Sequence, residues 1–158
     1  MFYFTIIGTD DNPIYEAEFS TPKHTFQPEI KELNPYIVHS TLDIMEYLQW
    51  QRQPHLELNA NSGGFLRSRH NSQENSYLGK VDSFYGLAVS GFLTYGNMKF
   101  IMVHGNGIVD DTITRSFFYE VYELYLKTLM NPFYKVNDPI SSPAFDSKVR
   151  VLSKRLFP

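Results

Sequence analysis

The chain has 158 residues, which fits one domain of ordinary size with room for a sizeable core. With 14 Lys and Arg against 17 Asp and Glu, the net charge is −3, which argues against a broad nucleic-acid surface. Cysteine is absent, so disulfides and thiolate nucleophiles or metal sites are excluded, while 13 Phe and 11 Tyr supply rings for a core or for partner surfaces.

The opening stretch MFYFTIIGTDDNP lacks the basic start and unbroken apolar run of a secretory signal. No stretch approaches the ~20 apolar residues that span a bilayer, so a soluble protein with at most a peripheral membrane role is expected. Phe2 to Ile7 alternates, with Phe2, Phe4 and Ile6 on one side and Tyr3, Thr5 and Ile7 on the other. Both sides are largely apolar, as in a strand covered on both faces. Asp11-Asn12-Pro13 signals a turn, and Ile14 to Phe19 returns as the second strand of a hairpin. A polar connector, Ser20 to Pro28, leads into a helical pattern. Ile30, Leu33, Ile37, Thr41, Ile44 and Leu48 recur at intervals of three and four and predict one buried stripe. Asn34 as N-cap with Pro35 as the first helical residue is the favoured start, and a start near Glu29 with a kink at Pro35 is the alternative.

Residues 53–76 are rich in Asn, Ser and Gly with little periodicity, which predicts a flexible polar insertion inside a single domain spanning 1–158. Strands are predicted over Tyr77–Asp82, Gly86–Thr94 and Met98–His104, with Gly96-Asn97 closing a tight hairpin between the last two. Asp111 or Thr112 can cap a helix running to about Met130, which Asn131-Pro132 stops. Ser142 and Pro143 start a final helix reaching about Leu156, with Phe145, Val149, Leu152 and Leu156 as its apolar stripe. The order is β-β-α-β-β-β-α-α, an α+β pattern with no internal repeat.

Little in this chain assembles into an active site. His39 and Asp43 stand four apart on the first helix, but no nucleophile elbow or oxyanion loop accompanies them. The five histidines show no HExxH or paired spacing, so no metal and no cofactor are expected. Gly105-Asn106-Gly107 followed by Asp110-Asp111 lacks both the P-loop pattern and the acidic spacing of a calcium loop. Lys148, Arg150, Lys154 and Arg155 make the last helix basic, which suits either an anionic membrane or its own helix dipole. On the middle helix, Ile113, Phe117, Val121 and Leu124 form one stripe and Phe118, Tyr122, Tyr125 and Leu129 a second beside it. The arc is wider than one sheet needs. Either the last helix covers the excess, or part of the tyrosine stripe is left to a partner protein.

Four segments carry a resemblance: FYFTIIGTDDNPIYEAEF, LNPYIVHSTLDIMEYLQW, YLGKVDSFYGLAVSGFLTYGNMKFIMVHG and LYLKTLMNPFYKVNDPISSPAFDSKV. Together they resemble the sedlin family, small subunits of the TRAPP vesicle-tethering complexes, and its fungal members most of all. The GxxDNPxxExEF hairpin and the MNPFY…PI…SPAFD tail are the most specific pieces. The departures are the insertion at 53–76 and Ser141, where a basic residue is the family's common choice. The resemblance implies a longin-type (SNARE-like) domain: a five-stranded antiparallel sheet with one helix on one face and two on the other. It implies no active site. It implies a subunit that joins larger TRAPP subunits to the core, meets a Rab-type GTPase only through the assembled complex, and works in the cytoplasm at Golgi and ER–Golgi membranes.

Other readings stand beside it. One is a longin-type subunit of another trafficking machine, although a SNARE should continue into a heptad segment and an anchor. Another is a small hydrolase using His39 or His104. For the interface itself, Tyr36, Ser40, Asp43 and Tyr47 share one stripe of the first helix, next to the buried one. Asp43 either merely solvates that helix or pairs with a basic group on a partner docked beside the two tyrosines. The expected interface residues are therefore Tyr36, Asp43 and Tyr47 on the first helix, with Phe118, Tyr122 and Tyr125 on the second.

Overall fold

A computed structural model describes residues 1–20, 26–61, 77–94, 96–105 and 110–157, and of 49–61 the backbone only. Its elements are β1 (Phe2–Ile7), β2 (Pro13–Phe19), α1 (Pro28–Asn61), β3 (Tyr77–Phe84), β4 (Leu87–Leu93), β5 (Lys99–Gly105), α2 (Asp111–Leu129) and α3 (Pro143–Leu156). The strands form one antiparallel sheet in the order β2-β1-β5-β4-β3. The first strand of the chain thus lies inside the sheet, with Phe2 opposite His104 and Ile6 opposite Phe100.

Alternation in the central strands separates two cores. Phe2, Phe4 and Ile6 join Phe92, Phe100 and Met102 beneath α2 and α3. Tyr3 and Ile7 join Val89, Ile101 and Val103 beneath α1, which contributes Ile37, Val38, Leu42 and Met45. One helix therefore covers one face and two cover the other. Phe4 meets Phe117 edge to face at 5.3 Å, and Phe92 stacks on Phe118 at 5.8 Å. Such ring pairs add about 0.5–1.5 kcal/mol each beyond the area they bury. Much of the aromatic content is spent here.

Several boundaries differ from the sequence reading, each for a local reason. Helix α1 starts at Pro28, not at Pro35, and Lys31 N–H donates to Gln27 O at 2.9 Å. Two prolines suit a first helical position, and the earlier start lets Ile30 pack on the α1-side core. The buried stripe is rotated accordingly. Asn34, Val38 and Met45 face inward, whereas Leu33 is 39% exposed. Helix α1 also continues to Asn61, through residues 53–61 that their polarity assigned to the insertion. Once a helix is nucleated, each further residue adds a hydrogen bond at little extra cost, which carries it across a polar stretch. The expected flexibility of 62–76 lies outside the described residues.

The turns follow their chemistry. Tyr85 and Gly86, both at positive φ, make the two-residue turn between β3 and β4, so Gly86 belongs to the turn and not to the strand. Asn97 at φ 61° turns β4 into β5, with Thr94 N–H donating to Met98 O. Asp110 caps α2, one residue earlier than expected, by accepting from Thr112 N–H at 2.9 Å. Ser142 caps α3, with Pro143 as its first residue, as predicted.

Between α2 and α3 the chain folds back on the β1–β2 turn. Asn137, at φ 72°, accepts from Thr9 N–H at 2.9 Å through Oδ1, and its carbonyl accepts from Asn12 Nδ2 at 3.3 Å. Ile140 N–H then donates to Ile14 O at 2.8 Å. A Cβ at Gly8 would lie 2.6 Å from Asn137 Oδ1, so this approach requires glycine. No described helix is long and apolar enough to cross a membrane.

Candidate protein interface

The outward side of α1 keeps large rings in water. Tyr36 is 72% exposed and Tyr47 62%, on a line with Leu33, Ser40 and Asp43. The spacing 33, 36, 40, 43, 47 alternates three and four, which sets these side chains along one seam parallel to the helix axis. Ser40 Oγ donates to Ile37 O at 2.8 Å and so is turned back onto its own helix. Asp43 makes no ion pair among the described residues, which leaves one carboxylate in the middle of an apolar stripe. A tyrosine offers large contact area with two side-chain torsions to freeze, so this stripe can bind a partner at low entropic cost. A facing Lys or Arg would satisfy Asp43.

The second expected stripe is placed differently. Phe118 is fully buried and Tyr125 is 2% exposed, so neither ring can reach a partner while the domain is folded. Tyr122 is half-buried, with its ring 5.6 Å from Phe92 and 6.1 Å from Phe100. The sheet and α3 take up the wide arc of α2. Burial, helped by neighbouring Tyr134 and Tyr122, pushes the Tyr125 hydroxyl up to about 12. Of the expected interface residues, Tyr36, Asp43 and Tyr47 on α1 are exposed, and Tyr122 is exposed in part.

Neither His39 nor His104, the two histidines of the hydrolase reading, is set up for hydrolysis. His39 and Asp43 are both exposed and are joined by no ion pair. His104 is buried in β5, with Nε2 2.9 Å from Ser90 Oγ and Nδ1 3.2 Å from Gly105 O. Since a carbonyl can only accept, Nδ1 carries the proton and Ser90 donates to Nε2. Burial holds the imidazole below its usual pKa, so it is neutral at pH 7. Serine and histidine thus satisfy each other inside the fold. The open groove between α2 and α3 and the one at the start of α3 are lined by no histidine. No group of three metal-ligating side chains occurs among the described residues.

Half of the basic charge on α3 is used internally. Arg150 Nε donates to Asp146 at 2.9 Å, and Arg155 pairs with Glu120 of α2. Asp146 also accepts from Tyr15 hydroxyl at 2.8 Å, and Arg150, then Tyr15, hold its carboxyl below the usual range. Sequence reasoning missed one exposed cluster altogether. Phe133 is 92% exposed, Met130 80% and Val136 60%, all in the connection after α2. Their signal was present: large apolar side chains within a Pro-interrupted turn, where no core can claim them.

The family model for sedlin matches residues 6–155. The chain is 54% identical to trafficking protein particle complex subunit 20 of Saccharomyces cerevisiae, over 97% of this chain and 96% of that protein. It is 39% identical to the transport protein particle 20 kDa subunit of Schizosaccharomyces pombe, over 97% and 96%. A probable trafficking protein particle complex subunit 2 of Drosophila melanogaster is 34% identical, over 98% and 95%. The matches run through β1 to α3, the same elements that build the five-stranded sheet and its three helices. On that extent of likeness, the chain belongs to the sedlin family.

Proposed function

We propose that this chain is a non-catalytic adaptor subunit of a TRAPP-type tethering complex in ER-to-Golgi and Golgi vesicle transport, joining larger subunits to the core. It needs no cofactor, and it meets a Rab-type GTPase only through the assembled complex. The relatives named as subunits of the trafficking protein particle support membership of the complex. The observation that carries the adaptor role is the wet seam of α1, with two exposed tyrosines flanking Asp43, which has no ion pair among the described residues. Leu33, Tyr36 and Tyr47 are exposed along one line of the helix, and aligned apolar exposure of this kind favours a contact surface over scattered solvated residues. Its cytoplasmic site of action, peripheral to Golgi and ER–Golgi membranes, follows from that role.

The variant Asp43→Tyr tests it. Position 43 is on the surface, so folding stability should change by at most ~0.5 kcal/mol. A neutral ring cannot replace a carboxylate facing a cation, so recruitment of a large TRAPP subunit should fail. A pull-down of partner subunits beside a thermal melt reads both. Unchanged recruitment by a folded variant would refute docking through α1. A separate assay addresses catalysis: the isolated chain should leave GDP release from the GTPase at its basal rate, with acceleration only by the complex. Clear stimulation by the monomer would sink the non-catalytic assignment.

A further inference from the structure

The exposed cluster after α2 is unusual in being held out by an ordered connection. Leu126, Met130 and Phe133 follow one another at intervals of four and three, and Val136 follows three residues later. A flexible loop would fold such side chains against the nearest apolar surface. This one is tied at each step. Asn131 N–H donates to Thr128 O, Phe133 N–H to Asn131 Oδ1 at 3.0 Å, and Tyr134 hydroxyl to Asp138 O at 2.7 Å. Asn137 and Ile140 then fasten the segment to the β1–β2 turn and to β2. The backbone entropy of presenting Phe133 is therefore already lost in the free protein, as in a preorganised binding loop.

Charge selects the partner's chemistry. Lys127 and Lys135, on either side of Met130 and Phe133 in the chain, make no ion pair among the described residues. Aromatic anchors that fill a pocket, ringed by groups that exclude water, are where binding energy concentrates. We propose that Phe133 is the anchor of a second docking surface, inserted into an apolar pocket rimmed by carboxylates on a neighbouring subunit of the complex. This rests on the adaptor reading and deepens it: α1 lies on one face of the sheet, and this connection follows α2 on the other. Two surfaces allow one small domain to hold two neighbours.

The test uses the tagged full chain, expressed in its native cell and purified with its complex. Wild type is compared with Phe133→Ala, Phe133→Leu, a double Lys127→Glu/Lys135→Glu variant, and Asp43→Tyr, each TRAPP subunit being quantified by mass spectrometry. Phe133→Ala should weaken the hold on one subunit about 30-fold or more, as hot-spot truncation does. Phe133→Leu should retain most of the binding, and the double charge reversal should lose the same subunit. Melting temperatures should stay at the wild-type value, because Phe133 touches little of the core. The subunit lost should differ from that lost with Asp43→Tyr. If Asp43→Tyr retains every subunit while Phe133→Ala loses one, the α1 reading fails and this proposal stands. Wild-type subunit ratios with Phe133→Ala overturn the proposal. So does loss of the same subunit by both variants. Loss of flotation with phosphatidylserine-containing vesicles, at unchanged subunit ratios, overturns it in favour of a membrane contact.

Discussion

Phe118→Ala is expected to cost about 3–5 kcal/mol of folding stability. The ring is fully buried and lies within 6.3 Å, centroid to centroid, of Phe4, Tyr77, Phe92 and Phe117. Its removal forfeits the transfer free energy of the side chain and leaves a cavity. Collapse around that cavity is restricted, because Phe4 and Phe92 sit on strands fixed by ladder hydrogen bonds on both sides. A domain of this size is stable by only about 5–15 kcal/mol, so the loss is a large share of the total. In urea titration the midpoint should fall, and the melting temperature should drop by roughly 6–20 °C. Were Phe118 a partner contact, stability would change by less than ~0.5 kcal/mol and assembly alone would suffer.

That contrast marks where sequence periodicity was informative and where it stopped. The strands were legible because Phe2 to Ile7 and Lys99 to Gly105 are apolar on both faces, and only a doubly covered sheet position accepts that pattern. The caps at Ser142 and the Asn97 turn were legible because each residue type answers a specific backbone demand. The wide arc of α2 was legible as apolar but not as core. Whether Phe118 and Tyr125 face α3, the sheet or a partner depends on how the helices cross, which no single-helix pattern encodes. Asn34 illustrates the same limit. It looked like a cap because it is polar and precedes a proline, yet it is fully buried in mid-helix, and Pro28 starts the helix instead.

The candidate interface was half legible. Tyr36, Asp43 and Tyr47 were placed correctly on a single outward stripe, since three-and-four spacing fixes their common direction once a helix exists. Phe133 was not anticipated. Its large ring in a Pro-interrupted turn was the local signal, but the fastening of that connection through Asn137 to Thr9 and Asn12, across more than a hundred residues, has no local signature. Gly8 shows how close that contact is, since any side chain there would collide with Asn137.

The adaptor role predicts a large effect on composition when the chain is missing, because a subunit that joins two bodies controls whether both are present. The direct measurement is to purify the complex through a tagged core TRAPP subunit, from native cells with and without this chain, and to compare the subunits retained. The core should survive intact and the larger subunits should be lost. Restoring the wild-type chain should bring them back, and Asp43→Tyr should not. A full complement of subunits in the absence of the chain, or dispersal of the core itself, would contradict the account.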